Sequence, residues 1–148
     1  MLPPNLITET RIRSRLEVTS KKRLLESLAE LLARAGPGCS PSSVFDQLNE
    51  RERLGSTGLG EGIALPHARI DGIHDPVGAF VQLNRGISFD APDDRPVDLA
   101  FGLLVPQDAN EAHLSLLASL AERFSDIGLR EALRSADDAA ELLRLLER

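Results

Sequence analysis

Leu24, Leu25, Leu28, Leu31, Leu32 and Ala35 recur at three- and four-residue spacing, so residues 21–35 carry one apolar stripe and predict a helix. Ser20 can cap its start, and Gly36-Pro37-Gly38 stops it. Ser40-Pro41 reads as a cap followed by a proline at the first helical position. The second helix then runs to about Arg53, burying Val44, Phe45 and Leu48, and Gly55 ends it. The pattern changes further on. Val77 to Leu83 alternates as a strand does, Asn84-Arg85-Gly86 signals a turn, and Ile87 to Phe89 is a short extended piece. Ala91 to Arg95 is a polar turn. Val97 to Val105 is almost wholly apolar, as a central strand covered on both faces is, and Pro106 closes it. Ile63-Ala64-Leu65 reads as a short buried strand, and Leu6, Ile7, Ile12, Leu16 and Val18 fit an edge strand. Asp108-x-x-Glu111 resembles a capping box with Asp108 as the cap. A long helix follows to about Phe124, burying Leu114, Leu117, Leu120, Ala121 and Phe124. Two short helices, about Ile127–Leu133 and Asp137–Leu146, finish the chain. Helices, then strands, then helices predict an α/β fold with a mixed β-sheet sandwiched between helical layers.

A chain of 148 residues fits one domain, residues 1–148, with the first few residues loose around Pro3 and Pro4. Five Phe and neither Tyr nor Trp leave a core built mostly of Leu, Val, Ile and Ala. The net charge of −6 and the missing stacking platforms argue against a nucleic-acid partner. The one basic stretch, Arg11, Arg13, Arg15, Lys21, Lys22 and Arg23, reads as a solvated face. The single cysteine, Cys39, allows no internal disulfide and reads as an exposed, inert thiol, which suits a reducing cytoplasm. No Cys/His cluster points to a metal. The start of the chain lacks the charge-then-apolar pattern of a signal peptide. No stretch approaches the roughly 20 apolar residues of a membrane span, so stable insertion is not expected.

The chemistry concentrates between Arg51 and His67. Gly55, Gly58, Gly60 and Gly62 let successive backbone N–H groups approach an anion closely, and Ser56 and Thr57 add hydroxyls. Taken alone, the run fits an exposed tight loop equally well. It is not a Walker loop, because no Gly-Lys-Ser/Thr follows, nor a dinucleotide fingerprint, because the third glycine is missing. Pro66 holds Leu65 extended and sets His67 at a rigid strand end. Its imidazole is substantially neutral near pH 7, which leaves one ring nitrogen nucleophilic. A lone histidine fits a structural role too. His74, between Gly72 and Asp75, reads as a surface-loop residue. His113 sits in the first turn of the Asp108 helix, where the helix terminus favours anions, and taken alone it also fits a partly buried polar residue on the helix border. Arg51 and Arg53 each fit a solvated helix charge, but Arg51, four residues before Gly55, can also swing back over the loop and fork onto two oxygens of a phosphoryl group.

The run Arg51-Glu52-x-Leu54-Gly55-Ser56-Thr57-Gly58-x-Gly60-x-Gly62-Ile63-Ala64-x-Pro66-His67 resembles the active-site signature of the fructose/mannitol-type enzyme IIA family of the bacterial phosphotransferase system. Pro96-Val97-Asp98-Leu99-x-Phe101-x-Leu103-Leu104-Val105-Pro106 and Asn110-Glu111-x-His113-Leu114 resemble its second signature. The resemblance spans the whole chain and looks closest to the nitrogen-regulatory branch. It implies that His67 is transiently phosphorylated through Nε2, that Arg51 and His113 line the same pocket, and that Ser56, Thr57 and Gly58 contact phosphate. Ala68 stands where many members carry Gly.

The resemblance further implies a phosphoryl donor, an HPr-like phosphocarrier protein, and needs neither metal nor cofactor. Two outputs fit it. One is regulation of nitrogen, carbon and potassium homeostasis through partners such as kinases or potassium transporters. The other is transfer to a IIB cysteine in a sugar transporter. A non-catalytic anion-binding module is the reading from another class, and the joint presence of Arg51, His67 and His113 argues against it.

Overall fold

Two short strands share one line beside the central strand, and the glycine loop leads into that line. The computed structural model describes residues 2–36 and 38–148; Pro37, expected to help stop the first helix, lies outside them. The elements are β1 (Ile12–Leu16), α1 (Lys21–Ala33), α2 (Pro41–Arg53), β2 (Gly58–Gly60), β3 (Ile63–Ala64), β4 (His67–Ile70), β5 (Val77–Ile87), β6 (Val97–Pro106), α3 (Glu111–Phe124), α4 (Ile127–Ser135) and α5 (Ala139–Glu147). The sheet runs β1-β5-β6-β3-β2, with β4 also paired to β6. It is mixed: β1 is parallel to β5, β5 antiparallel to β6, and β3 and β4 both parallel to β6.

Helices cover both faces. Leu24, Leu28 and Leu32 of α1 and Val44 and Leu48 of α2 pack with Ala79, Val81, Ala100 and Leu104 from one side of the sheet. Phe80, Leu99, Phe101 and Leu103 face the other side, against Leu116, Leu120 and Phe124 of α3, Leu133 of α4 and Leu142 of α5. Successive residues of a strand point to opposite faces, so the apolar run in β6 feeds both cores. Phe80, Phe101 and Phe124 form an aromatic cluster with ring centroids 6.0–6.4 Å apart. With so few aromatics, placing three together concentrates packing between the sheet and α3.

Several expectations need correcting. The Asn84-Arg85-Gly86 signal does not end a strand: β5 continues to Ile87, which pairs with Val97 after a register shift. The cap of α3 is Asn110, not Asp108. Its side chain accepts from the N–H groups of Ala112 and His113, three-residue geometry that Asp108 stands too early to supply. Leu116 is buried instead of Leu114, which is 48% exposed: Leu116, Leu120 and Phe124 form the four-residue line that packs on the sheet. Cys39 is buried and its thiol pKa is raised by desolvation. Arg11 is not on a solvated face. It is buried, with Nε donating to Gly78 O at 2.9 Å and Nη2 to Asn5 O and Leu6 O. Its guanidinium bonds carbonyls of both the N-terminal segment and β5 and so ties the two together.

Candidate functional site

Proline splits the line of chain beside β6. The β3 residues Ile63 and Ala64 pair with Leu99 and Ala100, and the β4 residues from His67 onward pair with Leu103 onward. Between them Pro66 has no N–H to give, although its carbonyl still accepts from Leu103 N at 2.9 Å. His67 therefore opens β4 on a backbone clamped by the central strand. It is half-buried, and its Nδ1 lies 2.9 Å from the carbonyl oxygen of Leu65. A carbonyl only accepts, so Nδ1 carries the hydrogen and Nε2 keeps its lone pair.

The electrostatics agree with a neutral ring. Burial holds the His67 pKa below the usual imidazole value, with the positive charge of Arg51 acting the same way; the Leu65 hydrogen bond and the negative charge of Glu52 oppose it.

His67 lines a cavity of about 500 Å³ together with Arg51 and Leu54 at the end of α2, Arg69 on its own strand, and Leu114 and Leu117 from α3. Arg51 does fold back over the loop: its Nη1 donates to Gly55 O at 3.0 Å. Leu54 is 85% exposed, which leaves a large apolar side chain at the cavity rim beside the two guanidinium groups.

The remaining candidates are placed differently. The Ser56 hydroxyl donates to Phe89 O at 2.9 Å and accepts from Gly58 N at 3.1 Å. The Thr57 hydroxyl bonds to Glu52 Oε2, and Thr57 is buried. Both hydroxyls thus bond within the fold, shaping the loop. A Cβ on Gly58 would stand 2.9 Å from the Ala91 Cβ, so packing alone demands glycine there. His113 is at the third position of α3, and its Nδ1 accepts from Asn110 N at 3.4 Å, closing the capping box. That bond puts the ring hydrogen on Nε2. His113 is half-buried and does not itself line the His67 cavity, though the next residue, Leu114, does. His74 lies in the loop between β4 and β5, away from His67's cavity.

Sequence reasoning passed over two contributors. Arg69 is two residues after His67, so strand alternation puts it on the same side of β4. Glu52 continues the Val44, Leu48 spacing of four, which marks it as the buried face of α2 reaching the loop. Among the described residues no group of three or more His, Cys, Asp or Glu side chains is placed to hold a metal ion. No helix among them is long and apolar enough to cross a membrane.

Comparison with known proteins converges on one family. Residues 5–148 match the family described as the phosphoenolpyruvate-dependent sugar phosphotransferase system, EIIA 2. The chain is 46% identical over 127 residues to a nitrogen regulatory protein of Pseudomonas aeruginosa, covering 86% of this chain and 82% of that one. It is 38% identical over 118 residues to a fructose-specific EIIA component of the phosphotransferase system in Haloferax volcanii, covering 80% and 77%. The crystal structure of the nitrogen regulatory protein IIA-Ntr from Neisseria meningitidis superposes with a TM-score of 0.89 at 43% identity, covering 95% of this chain and 96% of that one. The mixed sheet between helical layers is thus the fold of these proteins, and the chain belongs to the EIIA type 2 family of the phosphotransferase system, as one of its phosphotransferase components.

Proposed function

We propose that this protein accepts a phosphoryl group on Nε2 of His67 from an HPr-like phosphocarrier and uses its phosphorylation state as a regulatory signal. The observation that carries the reading is the bond from His67 Nδ1 to Leu65 O, which leaves Nε2 as the nucleophilic nitrogen in a cavity shared with Arg51.

The transfer needs no proton shuttle. The Nε2 lone pair forms the new N–P bond while the N–P bond of the donor breaks, its electron pair returning to the donor imidazole. Charge on the three phosphoryl oxygens is met by the Arg51 guanidinium, with Arg69 on the same wall. Phosphohistidine-to-phosphohistidine transfer is close to thermoneutral, so donors already in place suffice. His113, with its Nδ1 held at the cap of α3 and its hydrogen on Nε2, is a further donor that a phosphoryl group reaching beyond the cavity toward α3 would meet. Ser56, Thr57 and Gly58 hold the loop around the phosphoryl group; direct contact from them requires their present bonds to be exchanged. Leu54 and Leu114 offer the apolar rim on which a protein donor can seat.

The nitrogen regulatory relatives support the regulatory output, acting through partners such as kinases or potassium transporters. Identity with the fructose-specific relative supports a second output, transfer to a IIB cysteine in sugar transport. Incubation with phosphoenolpyruvate, enzyme I and the phosphocarrier tests acceptance by the mass of the His67 peptide. Capture of partners by the phosphorylated and unphosphorylated forms then separates the outputs: state-dependent binding supports regulation, and passage of label to a IIB protein supports transport.

A further inference from the structure

Among the described residues Glu52 is the one buried acid, 7% exposed. A carboxylate removed from water needs partners, and this one has three. Oε1 accepts from Thr57 N at 3.2 Å and from Lys21 Nζ at 3.0 Å, and Oε2 accepts from the Thr57 hydroxyl. The Lys21 ammonium in turn lies 4.4 Å from the centroid of the Phe89 ring. The carboxylate therefore joins the first residue of α1, the last turn of α2 and the glycine loop.

A buried ion pair is a weak source of stability, because desolvation offsets much of the attraction. It is a good source of position and of local potential. Position comes from ring closure: the bonds from Glu52 to Thr57 pin both ends of the segment across which Arg51 reaches to Gly55. Potential comes from the sign of the charge. When Nε2 of His67 bonds phosphorus and keeps its hydrogen on Nδ1, the ring becomes formally cationic. Arg51 sits well for the phosphoryl oxygens but badly for that ring. Glu52 acts on His67 in the opposite direction to Arg51.

We infer that Glu52 is a positioning residue for phosphoryl transfer. It ties Arg51 and the glycine loop into one unit and balances the charge on the His67 ring as the new N–P bond forms. The inference rests on the reading of His67 as phosphoryl acceptor. The other charged groups facing His67 are Arg51 and Glu50 from α2 and Arg69 from β4. Val105 of β6, Gln107 just after it, and Leu114 and Leu117 of α3 also line the cavity and do not titrate, while His113 at the start of α3 is engaged at the helix cap. Behind Glu52 stands Lys21 from α1.

Glu52→Gln keeps the shape and an acceptor for Thr57 N but removes the charge. Two readouts decide: the NMR titration midpoint of the His67 ring, and the rate of phosphoryl acceptance from the phosphocarrier. The midpoint moves down and the rate falls about tenfold, the equivalent of one pKa unit. Unchanged midpoint and rate in a folded variant overturn the inference. If Glu52→Gln does not fold, Thr57→Val removes one donor and leaves the charge: the rate falls while the midpoint stays, and an unchanged rate overturns the inference. Wild-type protein that takes up no phosphoryl group overturns the acceptor reading instead, and the midpoint in Glu52→Gln still decides the electrostatic link.

Discussion

The ring of His67 turns back on the chain that leads into its strand: Nδ1 lies 2.9 Å from the carbonyl oxygen of Leu65, two residues earlier. Pro66 between them makes the turn-back stiff, since its own φ is set and Leu65 is held extended. The bond assigns the ring hydrogen to Nδ1. Nitrogen-detected NMR of the unphosphorylated protein should find Nε2 unprotonated, and the phosphorylated form should carry phosphorus on Nε2. Phosphorus on Nδ1 contradicts this assignment.

The pH dependence follows from burial. The folded His67 pKa lies below the imidazole reference of about 6.5. Between the folded and unfolded values the unfolded chain binds more protons, so stability is full above about pH 6.5 and is lost as pH falls through the folded pKa. Phosphoryl acceptance should likewise persist to a pH lower than a free imidazole allows. His67→Gln should flatten this part of the stability profile, measured by urea unfolding at several pH values; an unaltered slope contradicts the assignment.

Arg51→Lys keeps the charge but loses the planar fork. Arg51→Ala loses both, and acceptance should slow by roughly 10²-fold, the usual cost of one charge-stabilising donor. Stopped-flow or quenched transfer assays should rank wild type above Lys above Ala. Equal rates for all three remove Arg51 from the account.

Gly62 has a φ of +81°, and a Cβ there would stand 2.8 Å from Asp98 Oδ1. Asp98 is already forked by Arg134, whose Nε lies 2.9 Å from Oδ2. Gly62→Ala should therefore cost about 1–3 kcal/mol in denaturant unfolding. A neutral substitution shows that the clamp yields.

Much of this architecture was legible in the residues. The stripe of α1, the Ser40-Pro41 start of α2 and the apolar run of β6 declare themselves, because each is a local pattern that carries its own cap or proline. What escaped depends on contacts far along the chain. β5 runs through Gly86 because β6 resumes pairing at Ile87, and local turn chemistry carries no sign of that. Asp108 and Asn110 are both competent cap residues, and local sequence does not choose between them; the helix begins at Glu111, which makes Asn110 the cap. At the site, the order of Arg51, the glycines and His67 pointed to the family. The hydroxyls of Ser56 and Thr57 could not be placed from sequence, since their partners are Phe89 and the buried Glu52.

The central claim is that His67 is the phosphoryl acceptor. Its most direct measurement is the acid-labile phosphoryl content of wild type and His67→Gln after incubation with phosphoenolpyruvate, enzyme I and the phosphocarrier. The account predicts one phosphoryl group on the wild-type His67 peptide and none on the variant. Labelling of the variant at another residue, or no labelling of the wild type, would contradict it.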